Sequence, residues 1–488
     1  MTEPTPSRKL FFSVFPSIVL PMFLAAIDAT IVATALPAIA ASLGDVERIS
    51  WVVVSYLMAT TIAAAVYGRL GDALGRKKLL LMSLIVFVAA SIGCALAPTL
   101  LWLVAARVLQ GIGGGGLMTL SQALVGEVVP GRERGKYQGY LASVFMVSST
   151  FGPVAGGYLT QRYGWASVFW VNVPLGMVAF GMATRLPSRP GAGRVRFDWI
   201  GLVLFTAFVV PLLLALEQAQ RISWAGAPAI AAWTALAIVA LVLLLRQERR
   251  SSMPLIPVNL LRMPAIWRAD AMGACVGATI VSCVTFMPIY LQVVRGAPPG
   301  EVGLLMLPLT AGIAFGSLLT GRMISKTGRT AIFPSCGQAV VTGCLVFLAL
   351  GAAWIPTSWL PWLFVVLSVS IGTTMPVVQM TVQTVAGPKN LGAASASIQF
   401  SRSIGAALGT ATVGAVLFAV LAVRDPAMAA LFADIVQRGP GVLATLSDQV
   451  RTSLGVEIAA AFRAAFLTVA CFSTAALLLA WSLPIRRI

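Results

Sequence analysis

The stretch GRLGDALGRKK at residues 68–78 joins two long apolar runs, and a weaker echo, GRMISKTGR at residues 321–329, joins two others much later in the chain. Glycine lets a chain reverse tightly, and lysine and arginine keep a loop on the cytoplasmic side of a membrane. A short basic loop that is used twice between apolar runs predicts a duplicated bundle of transmembrane helices.

Composition places the chain among polytopic membrane proteins. Of its 488 residues, 58% are hydrophobic and 10% are charged, which is more apolar surface than a soluble protein of this length can enclose. The formal net charge of +18 would suggest nucleic acid in a soluble protein, but the basic residues lie in short loops between apolar runs. We therefore expect the lipid bilayer, and no nucleic acid, as a partner of this chain.

Cofactor chemistry has little support in the sequence. The six cysteines all lie inside apolar runs, histidine is absent, and no phosphate-binding GxxxxGK[ST] loop occurs. We expect neither a metal nor another cofactor. The Ala-Ile-Ala at residues 38–40 imitates a signal-peptidase site, but the apolar run before it is far longer than a signal core of about 7 to 15 residues. The first helix is therefore expected to remain attached.

Apolar runs near the roughly 20 residues that a span requires predict fourteen transmembrane helices. The basic clusters all fall on one side of this arrangement, so both termini are expected in the cytoplasm. Those clusters lie at residues 76–78, 132–136, 185–196, 246–250 and 486–487. The predicted units are a six-helix bundle at 1–190, an inserted helix pair at 191–250, and a second six-helix bundle at 251–488 that contains an extracytoplasmic loop at 424–457.

Three motifs inside the apolar runs complete a resemblance to the major facilitator superfamily and, within it, to the fourteen-helix drug:proton antiporters. Asp28 lies in LAAIDATIVATALP and resembles an acidic first-helix motif, and Arg107 begins RVLQGIGGGG, which resembles an intramembrane arginine motif. GPVAGG at residues 152–157 resembles the antiporter motif, with Ser148 where the family usually has glycine. The resemblance implies an all-α fold of two six-helix bundles plus two inserted helices, no enzymatic activity, and alternating access to a site between the bundles.

Asp28 and Arg107 are the predicted proton-coupling residues. A charge in an apolar span costs about 2.5 to 3.5 kcal/mol on insertion scales, so Asp28 is expected to face a cavity. The other interpretation is a carboxylate that is permanently paired for helix packing. At a rise of about 1.5 Å per residue, the two side chains lie at depths from which they can meet.

The resemblance also implies a conformational switch. Asp72 is expected to pack against a helix terminus and loop arginines, which would stabilise one access state; Ser325 replaces it in the echo, so a charge-based lock should exist only in the first bundle. The other interpretation is a solvated surface carboxylate. The predicted switch residues are Gly68, Asp72, Gly75, Arg76, Gly152, Pro153, Gly156 and Gly157.

The expected substrates are small amphipathic, cationic compounds exported across the cytoplasmic membrane by a monomer in exchange for protons. The candidate substrate contacts are Asp28, Tyr56, Phe145, Phe286, Tyr290, Gln383, Gln399 and Phe400; the weaker charged candidates are Asp198, Glu217, Asp270 and Arg402. Two alternatives stay open. The chain could transport one metabolite, siderophore or lipid, or it could need a periplasmic adaptor.

Overall fold

The computed structural model describes residues 8–44, 48–130, 133–188, 197–220, 226–251, 254–255, 258–351, 355–438 and 448–487. These residues are nearly all helical, since a chain that crosses lipid must satisfy its backbone polar groups within each segment. The first half of the bundle comprises α1 (Arg8–Leu43), α2 (Trp51–Leu74), α3 (Arg76–Ala95), α4 (Leu100–Val128), α5 (Arg134–Tyr163), α6 (Ser167–Trp170) and α7 (Asn172–Ala183).

The rest of the chain forms an additional helix pair and the second half of the bundle. The pair is α8 (Trp199–Gln220) and α9 (Ala227–Arg250). The second half comprises α10 (Val258–Leu261), α11 (Pro264–Ile289), α12 (Pro299–Thr327), α13 (Ile332–Gly351), α14 (Leu360–Gly372), α15 (Met375–Ala386), α16 (Leu391–Arg424), α17 (Pro426–Arg438) and α18 (Asp448–Trp481). A π-turn at Tyr290–Val294 continues α11, and α17 lies in the predicted loop at 424–457.

Twelve of the described helices are long and apolar enough to cross a membrane. Two of the fourteen spans expected from the sequence are not among these twelve. They lie near residues 137–159 and 165–185 and correspond to α5 and to Ser167–Ala183. Helix α5 has 30 residues but is less apolar than its neighbours, and Ser167–Ala183 is apolar but shorter. The count of fourteen spans therefore stays a prediction.

Each half has its own hydrophobic core. In the first half, α2 and α3 pack on α4, and α1 packs on α5; in the second, α11 packs on α16 and α13 packs on α18. The halves meet where α5 lies along α12 and where α2 lies along α16. The second of these contacts is covered by the additional pair: Phe205 and Val209 of α8 and Leu244 of α9 cluster with Ala65 of α2 and Phe400 of α16.

Turns at Gly75, Gly328 and Gly387 lie on the side of the bundle that we call the motif side, because it carries both copies of the basic loop. Gly75 adopts φ +97° between α2 and α3, in the left-handed region that other residues rarely occupy. Close packing also explains the glycine-rich stretch of α4: a Cβ at Gly111 would lie 2.6 Å from the carbonyl oxygen of Tyr56. That stretch is therefore a close helix contact.

Candidate transport site and gate

Asp28 lies at the centre of a buried polar network inside the first half. Its Oδ2 accepts from Arg107 Nη1 at 2.6 Å, and its Oδ1 accepts from Gln110 Nε2 at 2.9 Å and from Asn172 Nδ2 at 2.7 Å. The donors come from α4 and α7, and Ser91 of α3 accepts from Gln110 Nε2 at 2.8 Å. The network around this one carboxylate thus joins four helices, α1, α3, α4 and α7.

Arg107 has partners on several sides within this network. Its Nε donates to the carbonyl oxygen of Val52 at 3.0 Å, its Nη1 also donates to Gln110 Oε1 at 2.7 Å, and its guanidinium carbon lies 4.0 Å from the centroid of the Tyr56 ring. Arg107 Nη2 and Asn172 Oδ1 have no hydrogen-bond partner within the described part of the chain. Two polar atoms with unused bonding capacity therefore lie beside the ion pair.

The predicted meeting of Asp28 and Arg107 occurs, but the expected exposure of Asp28 does not. Both side chains are 0% exposed. In this conformation Asp28 faces other protein groups and no cavity. A guanidinium and two amides surround the carboxylate and offset the free-energy cost of burying its charge. The expectation that Asp28 faces a cavity is therefore wrong for this conformation. Tyr56 is likewise packed within the first half, where its hydroxyl donates to the carbonyl oxygen of Ala25 at 3.2 Å.

Asp72 forms a second polar cluster where the halves meet on the motif side. Its carboxylate accepts from the backbone N–H groups of Gly392 at 2.8 Å and Ala393 at 3.0 Å, at the start of α16, and from Arg76 Nη2 at 2.6 Å. A helix N-terminus favours a carboxylate through its unpaired N–H groups and its dipole. The expected packing of Asp72 against a helix terminus and a loop arginine is therefore present.

Arg76 extends this cluster to both halves. Its Nη1 pairs with Glu127 at the end of α4, and its Nη2 donates to the carbonyl oxygen of Pro388 at 3.1 Å. Asp72 of α2 and Arg76 at the start of α3 thus tie these two helices to α4 and to the first residues of α16. We call the cluster of Asp72, Arg76 and Glu127, with its contacts to residues 388–393, the gate lock.

Close backbone contacts adjoin the gate lock. A Cβ at Gly68 would lie 2.6 Å from the carbonyl oxygen of Gly392, and Gly321 in the second copy of the loop lies against the backbone of Gly135 in α5. Gln383 of α15 donates to the carbonyl oxygen of Gln122 at 3.0 Å. The two copies of the loop thus supply equivalent glycine contacts. Asp72 of the first copy belongs to the gate lock, whereas the second copy has Ser325 at the equivalent position.

The eight predicted substrate contacts do not form a single surface. Tyr290 packs against Phe462 and Phe466 of α18, and Phe400 packs against Phe205 and Phe208 of α8. Phe286 is partly buried against the core of the second half, and Gln383 belongs to the contacts beside the gate lock. Two of the eight, Phe145 and Gln399, lie together where the halves meet. The guanidinium of Arg402 lies over the Phe145 ring of α5 and donates to Gln399 Oε1 at 2.9 Å.

The antiporter motif packs α5 on α1. Gly152 and Gly156 lie against Thr30, Ile31 and Thr34 of α1, so that a Cβ at either glycine would collide with them. A Cβ at Gly157 would have nothing within 4 Å, and Pro153 is exposed. Within this motif, two of the four predicted switch residues therefore make the close helix contact.

We expect Gly156→Val to separate α1 from α5 and to lower the melting temperature strongly, because the added atoms meet the backbone carbonyl of Ile31. Gly157→Val, one residue away on the open side of the helix, is the matched control and should shift the melting temperature little. Thermal unfolding of the purified variants, followed by tryptophan fluorescence, measures both. Equal destabilisation by the two substitutions would contradict this assignment.

The weaker charged candidates lie in different environments. Asp198 accepts from the backbone N–H of Gly201 at 2.7 Å and from Gln247, so it caps α8 and joins it to α9. Asp270 of α11 is 5% exposed, and neither of its oxygens accepts a hydrogen bond from the residues that the structure describes. Glu217 is partly buried on α8.

Several site residues were not assigned from the sequence. Gln110, Asn172 and Ser91 complete the network around Asp28, and Glu127 completes the gate lock. Gln110 lies one helical turn from Arg107 within the quoted motif, and Asn172 interrupts an apolar run, so each had a signal in the sequence. Neutral amides are common in spans, however, and their positions alone do not identify a partner.

Two helical halves are joined by polar contacts on the motif side, and one of them encloses a buried ion pair. A family model described as Major Facilitator Superfamily matches residues 18–410, and the chain belongs to that superfamily. Members of that superfamily are multi-pass membrane transporters and not enzymes.

Related proteins agree with this assignment. The chain is 35% identical over 404 residues to the uncharacterized MFS-type transporter Rv1877 of Mycobacterium tuberculosis. The match covers 83% of this chain and 59% of that protein, so the chain spans about three fifths of that relative. It is 31% identical over 407 residues to the multidrug transporter protein MdtP of Bacillus subtilis, covering 82% of this chain and 74% of that protein. The solved structure of the proton:xylose symporter XylE shares the fold, with a TM-score of 0.61, 16% identity and coverage of 98% of this chain and 97% of the other.

Proposed function

We propose that this protein is a proton-coupled exporter of amphipathic small molecules that works by alternating access in the cytoplasmic membrane. The observation that carries the proposal is the fully buried Asp28–Arg107 pair inside the half whose α2 and α4 also hold the gate lock. Several relatives named as multidrug or efflux proteins at about 30% identity support export as the direction.

We infer that the chain crosses the membrane fourteen times, as the drug:proton antiporters do. Helix α5 begins beside Ile324 and Met380 on the motif side and extends to the contacts of Gly152 and Gly156 with α1, which supports a full crossing. Ser167–Ala183 then brings the chain back, since Thr184 lies near Lys77 at the start of α3. These two crossings would add to the twelve candidate spans, and α8 and α9 would be the inserted pair.

We infer that the motif side is cytoplasmic, because the basic clusters beside Gly75 and Gly328 would otherwise oppose the usual charge bias. The described contacts between the halves lie along the motif-side parts of α2, α5, α12 and α16. The conformation would then be closed to the cytoplasm, with both termini in the cytoplasm and a single chain as the transporting unit.

Proton coupling follows from the charge balance around Asp28. Protonation of Asp28 would remove the negative charge that compensates Arg107 in a fully buried site, and the guanidinium would have to find other acceptors. Because α4 carries Arg107, Gln110 and Glu127, a shift of this helix would reach the gate lock through Arg76. Coupling between a buried protonation event and the gate therefore has a physical route along one helix.

The available energy is sufficient for export. One proton that enters across about 100 mV and one pH unit supplies about 3.7 kcal/mol, enough for a gradient of a few hundredfold of a neutral substrate. The predicted preference for cationic substrates depends on Asp28 becoming accessible in another conformation, since here it is sealed and paired.

The test is reconstitution of the purified chain alone into proteoliposomes with an imposed pH gradient. Uphill movement of several unrelated amphipathic dyes, abolished by a protonophore, would support a multidrug exporter. Movement of a single compound would favour the alternative of a dedicated transporter for one metabolite, siderophore or lipid. A requirement for a second protein would favour the adaptor-dependent alternative.

A further inference from the structure

Arg402 is a half-buried arginine at a contact between the two halves. It lies about 17 Å along α16 from Leu391, and Phe145 lies about 17 Å along α5 from Arg134, at a rise of about 1.5 Å per residue. The guanidinium carbon is 4.4 Å from the centroid of the Phe145 ring. Arg402 of the second half therefore makes a cation–π contact with an aromatic ring of the first half. This depth is beyond the gate lock, well inside the bundle.

The hydrogen bonds of Arg402 leave much of its donor capacity unused. Its Nη2 donates to the neutral Gln399 Oε1 at 2.9 Å, and the described residues offer the guanidinium no carboxylate within salt-bridge distance. Guanidinium groups have five N–H donors in a planar fork that matches a carboxylate, sulfonate or phosphate. An arginine inside a membrane bundle without a counter-ion marks a functional position, because its burial is costly.

The helices that contact the Arg402 side chain and backbone supply almost no competing negative charge. Helices α5 and α16 contain no acidic residue, and α11, whose Gly277 lies against the backbone of Arg402, contains only Asp270. Asp28, the other deeply buried carboxylate, is compensated by Arg107 and has no exposure. Among the described contacts of Arg402 none carries a negative charge, and Asp270 lies about 10 Å along α11 from Gly277. The uncompensated charge beside Phe145 is therefore positive.

We propose that Arg402 is an anion-binding subsite for the transported compound, and that the substrates include amphipathic molecules with a carboxylate or a similar anionic group. The Phe145 ring would contact the apolar part of the same molecule. This inference rests on the export function proposed above and names its substrate class, in place of the cationic compounds that Asp28 suggested. Export of one monovalent anion coupled to import of one proton would move a net two positive charges inward. An interior-negative membrane potential should therefore accelerate export.

Three probes that share one fluorophore test the subsite: dansylglycine, which is anionic at neutral pH, dansylamide, which is neutral, and dansylcadaverine, which is cationic. Fluorescence titration of the full-length protein in detergent measures their equilibrium binding. We expect Arg402→Gln to weaken dansylglycine binding about tenfold or more and to change dansylamide binding by no more than about twofold, because only the anion loses a charge-assisted hydrogen bond. Arg402→Lys should retain part of the preference, since it keeps the charge but loses the planar fork.

Arg463→Gln is the matched control, since Arg463 lies on α18 and donates to the carbonyl oxygen of Ala349, away from Phe145. It should leave all three affinities within about twofold of the unmodified protein. Equal weakening of all three probes by Arg402→Gln, or a failure of the unmodified protein to bind dansylglycine more tightly than dansylamide, would overturn the subsite. Proton-driven export of dansylamide or dansylcadaverine without any binding of dansylglycine would refute the subsite and leave the proposed function intact. The expected binding pattern without pH-driven movement of any probe would support the subsite and refute proton coupling.

Discussion

Asp28→Asn should abolish proton-driven efflux in proteoliposomes. The asparagine cannot carry a proton through the cycle, and it leaves Arg107 buried without the charge that compensates it. Removal of one partner of a buried ion pair costs about 3 to 5 kcal/mol, so we also expect a lower melting temperature. Efflux under an imposed pH gradient and thermal unfolding of the same preparation measure the two effects.

The double variant Asp28→Asn/Arg107→Gln separates coupling from folding. It removes both charges, so we expect its melting temperature to return toward that of the unmodified protein while efflux stays absent. Facilitated movement down a concentration gradient provides a check that the halves still alternate. Uphill efflux by correctly inserted Asp28→Asn would show that the coupling carboxylate lies elsewhere, and Asp270 would be examined next.

Asp72→Asn should open the gate lock and reduce transport about tenfold or more with little loss of substrate affinity. The substitution weakens the pair with Arg76 and the charge-assisted bonds to Gly392 and Ala393, so the conformation closed on the motif side loses stability relative to the alternative. Spin labels at exposed Leu74 and Lys389, in a background without the native cysteines, report on the separation of the two halves. We expect a larger population of long distances in the variant.

Asp198→Asn is the matched control for this experiment. Asp198 also accepts from a backbone N–H and from a side chain, but both partners lie within the additional helix pair. Its replacement should leave the distance distribution between the halves unchanged. Unchanged distances in Asp72→Asn, or parallel losses of affinity and transport, would show that Asp72 does not set the access equilibrium.

The charged residues of the site were recognisable in the sequence because isolated charges in apolar runs are rare and costly. Asp28, Arg107 and Arg402 each stand alone in such a run, and Asp72 lies in a loop motif that occurs twice. The aromatic candidates were less predictable. An aromatic ring is equally suited to a binding wall and to a core, and Tyr290 and Phe400 pack against other aromatic rings.

The duplicated helical membrane bundle, the isolated carboxylate of Asp28 and the acidic residue in the basic loop at 68–78 could all be recognised in the sequence, since hydrophobic run length and charge placement are local properties of the chain. Helix packing in three dimensions was needed to show that Asp28 is enclosed by Gln110 and Asn172, that Asp72 binds the start of α16, and that the Arg402 guanidinium lies over Phe145. These partners are neutral amides, backbone N–H groups and an aromatic ring. Their single-residue signals are weak, and they acquire a role only when helix packing brings distant segments within hydrogen-bond or van der Waals distance.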